Sequence, residues 1–285
     1  MQRTDFRCFH RLRVRWAEVD MQKIVFNAHY LMYIDTAMMD YWRALALPYE
    51  ASMVALGGDI YVKKATLEYH ASAQLEDLLD IGLRCARVGN SSLLLQAGIF
   101  RGEQLLVSGE LVYVFADPAT QTSRPVPEAL RAIFAAYEAG DAMAHAHCGA
   151  WDALGPDAAR VRHAVFIQEQ GIPADIEVDE LDATAVHVVL RNRLGMPVAT
   201  GRLLQHAPGE GRIGRMAVER ALRGGGWGCQ VLRALEDAAR ARGDQRVLLH
   251  AQVQARAFYE RAGYHIHGEP WMEAGIPHIT MQRAL

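Results

Sequence analysis

Lysine is almost missing from this chain. Of thirty basic residues only Lys23, Lys63 and Lys64 are lysines, so a nucleotide loop of the GxxxxGK[ST] type has no lysine to use beyond residue 64. Cysteine is as sparse: Cys8, Cys85, Cys148 and Cys229 stand far apart with no CxxC pair. That spacing excludes a disulfide framework and fits reduced thiols in a cytoplasmic protein. No apolar run approaches the ~20 residues that span a bilayer. The opening stretch, residues 1–15, is rich in arginine where a signal peptide carries an apolar core, so no membrane association is expected. A basic excess is missing too. Thirty basic groups face thirty-three acidic ones, a net charge of −3, and nothing in that balance draws the chain to nucleic acid.

What remains is a globular mixture, 51% hydrophobic and 22% charged, too apolar to be disordered. A length of 285 residues suggests two domains, at about 100–200 residues each. The pattern itself changes midway. Residues 6–16 read as a strand. Leu31, Ile34, Met38, Tyr41 and Leu45 then recur at helical spacing. Four alternating segments follow, carried by Tyr61 to Tyr69, Leu79 to Cys85, Leu93 to Ile99 and Leu105 to Phe115, with hairpin turns at Gly89-Asn90 and Arg101-Gly102. One long helix and an antiparallel meander make an α+β domain over 1–138. Residues 139–149 lack periodicity and read as a linker. His145, His147 and Cys148 lie there in no metal-finger spacing, so no metal site is expected.

Residues 150–285 form an α/β domain in which strands alternate with helices. Its strongest signal is Arg223-Gly224-Gly225-Gly226-Trp227-Gly228, running into a helix with Val231, Leu232, Leu235 and Ala239 on one face. Glycines between a strand and a helix N-terminus expose backbone N–H groups at the positive end of the helix dipole, where an anion can be held. The dinucleotide fingerprint GxGxxG does not fit, because its third glycine is missing.

The surviving pattern, Arg-x-x-Gly-x-Gly, resembles the pyrophosphate loop of the GNAT acetyltransferases, and the resemblance extends over about residues 150–285. The preceding Ile213-Gly214-Arg215-Met216-Ala217-Val218 is similar to the family strand that grips the pantetheine arm. Phe258-Tyr259-Glu260-Arg261-Ala262-Gly263-Tyr264 resembles its FYxxxGF signature. Residues 165–170 and 275–281 look like the ElaA/YjcF-type branch. The resemblance implies acetyl-CoA as substrate, held by Met216, Val218, Arg223, Gly224, Gly225, Gly226 and Gly228. It also implies Tyr259 as the acid for the departing thiolate and an amine as acceptor. The general base is not readable; Glu169, Glu177, Asp179, His187 and His278 are all candidates, and so is relay through water.

In the first half, Asp20 precedes the long helix that opens near Asn27. A carboxylate there can act as base or nucleophile on a thioester, with helix N-terminal amides polarising the carbonyl. Asp20-x-x-x-x-Val25-x-Asn27-x-x-Tyr30-Leu31 resembles the hotdog-fold acyl-CoA thioesterases of the 4-hydroxybenzoyl-CoA/YbgC type over roughly residues 6–138, and Asp20 matches their catalytic aspartate. Lys23 stands where many members have glycine. The resemblance implies a homodimer or homotetramer through this domain. Together the halves are expected to form a hotdog domain followed by a GNAT domain, a bifunctional acyl-CoA enzyme. The alternative is an acetyltransferase carrying a non-catalytic hotdog module.

Overall fold

The structure is a computed structural model that describes residues 1–177, 179–273 and 275–285. Its chain separates into two compact units, Met1–Met143 and Ala144–Leu285.

The first unit wraps one sheet around one helix. Strands β1 (Cys8–Arg13), β2 (Asp59–Tyr69), β3 (Leu78–Val88), β4 (Ser92–Arg101) and β5 (Gln104–Ala116) run antiparallel in the order β1-β3-β4-β5-β2. Helix α1 (Asn27–Ala44) buries Tyr30, Tyr33, Ile34, Ala37, Met38, Tyr41 and Trp42. These recur every three or four residues, so one stripe of the helix faces the sheet. The approach is close at Gly109 of β5: a Cβ there would lie 3.3 Å from Ile34 and 2.9 Å from Leu67. The alternating residues of β3, β4 and β5 supply the opposing wall, with Leu79, Ile81, Leu83, Leu93, Leu95, Ala97, Ile99 and Leu111 all buried.

Two elements depart from the sequence reading of this unit. A short helix, α2 (Tyr49–Leu56), lies between α1 and β2 and ends on Gly57 at φ 69°. Strand β2 does not show the expected alternation: it closes one edge of the sheet, a bulge between Val62 and Lys64 breaks its period, and Tyr61, Val62 and Tyr69 are exposed. Helix α3 (Glu128–Ala139) completes the unit and stops on Gly140 at φ 98°.

The second unit is a mixed sheet in the order β11-β13-β10-β9-β8-β7-β6, with β12 paired to β13. Its strands are β6 (Ala144–Gly149), β7 (Val186–Asn192), β8 (Pro197–Ala207), β9 (Glu210–Val218), β10 (Arg246–Gln252), β11 (His265–Ile266), β12 (Trp271–Glu273) and β13 (Ile276–Ala284). Its helices are α4 (Trp151–Arg162), α5 (Ala174–Glu177), α6 (Trp227–Arg242) and α7 (Arg256–Arg261). Residues 144–149 are therefore not linker, as the sequence suggested. They form edge strand β6, in register with β7 from Ala144↔Asn192 to Gly149↔His187. Three histidine or cysteine side chains on an exposed edge gave no apolar alternation to read. Helix α4 also starts earlier than expected, at Trp151, and takes Pro156 into its body. On α6 the face expected from the sequence is buried: Val231, Leu232, Leu235 and Ala239.

Candidate active sites

The second site begins with a parting of two strands. Strands β9 and β10 are the parallel pair, and their register runs only from Glu210↔Arg246 to Ile213↔Leu249. Beyond that point β9 continues to Val218 and β10 to Gln252 without pairing. Just past the parting, β9 bulges: the three residues Thr200 to Arg202 on β8 face the four residues Ala217 to Gly214 on β9. Arg215 sits in this bulge at φ 51°, a left-handed conformation rare outside glycine. A cavity of about 410 Å³ fills the opening and is lined by Met216, Tyr259, His278, Glu177 and Asp179, among others.

At one end of this opening the glycine loop meets α6. Gly224 and Gly226 take φ of 87° and 83°, and a Cβ on Gly226 would meet no atom within 4 Å. No side chain among the described residues caps the helix. Among the described residues, the amide protons of Gly226 and Gly228 have no acceptor, which leaves them for an anion. Gly228 also lets α7 come near: a Cβ there would touch Phe258 at 3.4 Å and Val218 at 3.5 Å. The Arg223 side chain, by contrast, is turned to support the loop. Its Nε donates to the Val218 carbonyl at 3.1 Å, and its two terminal nitrogens reach Glu169.

Tyr259, on α7, is buried, and its hydroxyl has no hydrogen-bond partner among the described residues. Burial pushes the phenol far above its ordinary value, so at neutral pH it remains a proton donor.

The five candidate bases are sorted by their partners. Glu169 is bound to Arg223, which holds its carboxyl below the usual range and keeps it out of the cavity wall. His187 is buried against Trp151, with its Nε2 2.9 Å from the Asp182 carbonyl, and does not line the cavity. Glu177 and Asp179 line it but belong to a buried ionic network. Arg162 binds Glu177, and reaches Asp182 at 2.8 Å; Arg202 reaches Asp179 at 2.5 Å and Asp182 at 2.7 Å; Arg215 reaches Asp179 at 3.1 Å. The Arg202 hydrogen bonds hold Asp179 below the ordinary aspartate value. His278 differs from these four. Its Nδ1 lies 2.9 Å from the Ile276 carbonyl, which can only accept, so Nδ1 carries a proton and Nε2 is the ring nitrogen free to exchange one in a residue that lines the cavity. The buried arginines of this network were missed in the sequence. Arg202 stands inside the apolar run of β8, and a charge in such a run was the available signal.

In the first unit, Asp20 is half-buried at the base of a tight turn. Its amide donates to the Ile24 carbonyl at 2.9 Å, and its carboxylate accepts from the Gln22 amide at 2.8 Å. Val19↔Val25 and Phe26 N–H to the Glu18 carbonyl bring the chain directly into α1. The amide protons of Asn27 and Ala28, at the helix start, have no acceptor among the described residues. Lys23 takes φ 63°, which accounts for the glycine preference of the resembled family there, and it makes no ion pair with Asp20. Beneath the turn, buried Glu18 accepts from Arg15 and, at 2.7 Å, from the Tyr33 hydroxyl. Burial works to raise its pKa, but the Arg15 and Tyr33 hydrogen bonds outweigh it and hold the carboxyl below its usual range.

A wrapped-helix α+β domain and a mixed sheet whose central parallel strands part above a glycine loop define two acyl-CoA-handling folds in one chain. Comparison with known proteins agrees. Residues 14–134 match the family model of the thioesterase-like superfamily, and residues 156–285 match that of the acetyltransferase (GNAT) domain. The uncharacterized N-acetyltransferase YjcF of Bacillus subtilis is 38% identical over 128 residues, 45% of this chain and 90% of that protein. Among solved structures, an acyl-CoA N-acyltransferase from Pseudomonas aeruginosa is 35% identical, covering 50% of this chain and 99% of its own at a TM-score of 0.45. A thioesterase from Thermus thermophilus, solved with coenzyme A and zinc, is 24% identical, covering 48% and 98% at a TM-score of 0.43. The chain belongs to the GNAT acetyltransferase family through its C-terminal unit, and joins to it a thioesterase-like hotdog domain.

Proposed function

We propose that the protein transfers an acetyl group from acetyl-CoA to an amine with its C-terminal unit and hydrolyses an acyl-CoA thioester with its N-terminal unit. The observation that carries the first activity is the cavity between the parted strands. It has Tyr259 in its wall, a neutral phenol whose hydroxyl has no partner among the described residues, and the glycine loop beyond Val218 has amides with no acceptor among them. In this reading the loop from Arg223 to Gly228 takes the pyrophosphate through backbone N–H groups, while the backbone of Met216 and Val218 lies along the pantetheine arm. The Nε2 of His278 removes a proton from the attacking amine. The nitrogen then adds to the thioester carbonyl, and collapse of the tetrahedral intermediate breaks the C–S bond. Tyr259 gives its proton to the leaving sulfur, so that CoA departs as the thiol.

For hydrolysis, Asp20 takes a proton from water as it attacks the thioester, and the free amides of Asn27 and Ala28 hold the carbonyl oxygen as it gains charge; collapse of the tetrahedral intermediate then breaks the C–S bond, and the proton on Asp20 passes to the sulfur, so that CoA leaves as the thiol and the acid as product. The exposed edge of β2 is the surface through which two copies pair, giving a homodimer or homotetramer. The cytoplasm is the compartment that suits four free cysteines. One observation favours a second reading, in which the hotdog unit serves only for pairing or acyl-CoA sensing: Lys23 holds a strained turn beside Asp20.

The test is release of free thiol from a panel of acyl-CoAs without amine, in the native protein and in Asp20→Asn. The amide keeps the shape and removes the base, so a loss of ~10²–10⁴-fold is expected, with acetyl-CoA affinity at the second site unchanged. Equal rates in the two proteins assign the hotdog unit to the second reading.

A further inference from the structure

We propose that the amine accepted by the C-terminal unit also carries a carboxylate, and that Arg212 is the residue that takes it. The inference rests on the acetyltransferase reading and names its acceptor class. Arg212 lies on β9, directly before the parting from β10, and lines the same cavity as Tyr259 and His278. It is half-buried and has no carboxylate partner among the described residues. Every other arginine of this unit that is at least half-buried does have one: Arg162 with Glu177, Arg191 with Asp157, Arg202 with Asp179, Arg215 with Asp179 and Arg283 with Glu236. A guanidinium partly withdrawn from water into a cavity wall without a counter-charge is placed to take its counter-charge from a ligand.

The neighbours of Arg212 strengthen the case. In the β8–β9 register Arg212 pairs with Leu204 and Gly214 pairs with Arg202, so Arg202 and Arg212 are diagonal neighbours on one face of the sheet. Both line the cavity. The Arg202 guanidinium is already held by Asp179 and Asp182, so of these two neighbours Arg212 is the one whose charge is left for a ligand. Gly214, between Arg212 and Met216 on β9, leaves open the space its Cβ would fill. The cavity also has the opposite charge at hand. Glu273, on β12, lines it from the solvent-exposed side and has no cationic partner among the described residues. An ammonium near Glu273 and His278, with a carboxylate at Arg212, satisfies both unpaired groups at once. Glu273, which is not neutralised by a cation among the described residues, disfavours a doubly charged phosphate in place of the carboxylate.

The experiment uses the full chain with acetyl-CoA and matched acceptors: β-alanine, 4-aminobutyrate and 5-aminovalerate, the primary amide of each, and O-phosphoethanolamine. Thiol release is measured with the amine-free rate subtracted, and acetyl-CoA affinity is measured separately by calorimetry. The carboxylates should exceed their amides by about 10-fold or more in kcat/KM, because the amide leaves the guanidinium unpaired. Arg212→Gln should erase that margin by raising the acceptor KM, with acetyl-CoA affinity and melting temperature held, and Arg212→Lys should restore part of it. Amides as good as carboxylates, preference for the phosphate ester, or an undiminished margin in Arg212→Gln would overturn the inference. So would a protein that binds acetyl-CoA yet acetylates no member of the panel. A protein that fails to bind acetyl-CoA overturns the acetyltransferase reading itself.

Discussion

Arg223 and Glu169 meet in a two-pronged ion pair, Nη1 to Oε1 at 2.6 Å and Nη2 to Oε2 at 2.7 Å. The arginine that opens the glycine motif thus spends its side chain on scaffolding. It ties the end of β9, through the Val218 carbonyl, to the helical segment of residues 163–169. On the proposed reading the anion falls to the backbone amides, whose positions depend on that tie.

Glu169→Gln keeps the shape and weakens the tie. Acetyl-CoA affinity should fall by about 3- to 10-fold, while stability changes by less than ~1 kcal/mol, since the pair is partly exposed. Arg223 depresses the Glu169 pKa, so the pair's contribution is complete above the ordinary glutamate value of ~4.3 and fades as pH falls through the lower folded value. Calorimetric titration at pH 7 checks the first part; an unchanged dissociation constant would show that the loop holds its form without Glu169.

The buried network around Arg162 behaves differently. Arg162→Met removes the cation between Glu177 and Asp182 in a place where water cannot replace it. Such a loss costs ~3–5 kcal/mol, so the melting transition of the second unit should drop by roughly 10 °C. Asp182 sits below its ordinary value: burial works to raise it, but the hydrogen bonds from Arg162 and Arg202 prevail. The difference between native and variant protein is therefore full above the ordinary aspartate value of ~3.9 and shrinks as pH falls through the depressed one. Calorimetric scans from pH 7 down to pH 3 measure it. A variant that melts with the native protein would mean that the network is dispensable.

Much of this was legible in the residues. The helical spacing of Ile34, Met38 and Tyr41 and the alternation of β3, β4 and β5 report burial on one face, which is what a sheet wrapped on a helix imposes. Glycines at 224 and 226 announce positive φ because few other residues tolerate it. Strand β6 was not legible: Ala144–Gly149 is paired along only one side and mostly exposed, so pairing left no apolar imprint. The network of Arg162, Arg202 and Arg215 was hidden as well, because its members converge from α4, β8 and β9 and no local pattern links them. The candidate bases could not be ranked for the same reason; what separates His278 from Glu169 is the partner each side chain meets.

The position of β6 changes how the chain should be divided. Residues 1–143 and residues 144–285 should each melt cooperatively as separate fragments. The shorter fragment 150–285 lacks β6 and exposes the edge of β7, whose Val188, Val189 and Leu190 are buried in the whole chain. It should melt lower than 144–285 and aggregate more readily. Equal melting of the two fragments would mean that β6 adds nothing to the unit.

The central claim is that the cavity between β9 and β10 performs acetyl transfer with Tyr259 as its acid, and Tyr259→Phe tests it most directly. Burial favours the neutral phenol, its hydroxyl has no hydrogen-bond partner among the described residues, and the sulfur gains charge only as the tetrahedral intermediate collapses. With a working acceptor amine, kcat should fall about 10- to 10³-fold while the KM for acetyl-CoA and the melting temperature stay near their native values. A variant with native kcat would contradict the account and return Tyr259 to a role in packing.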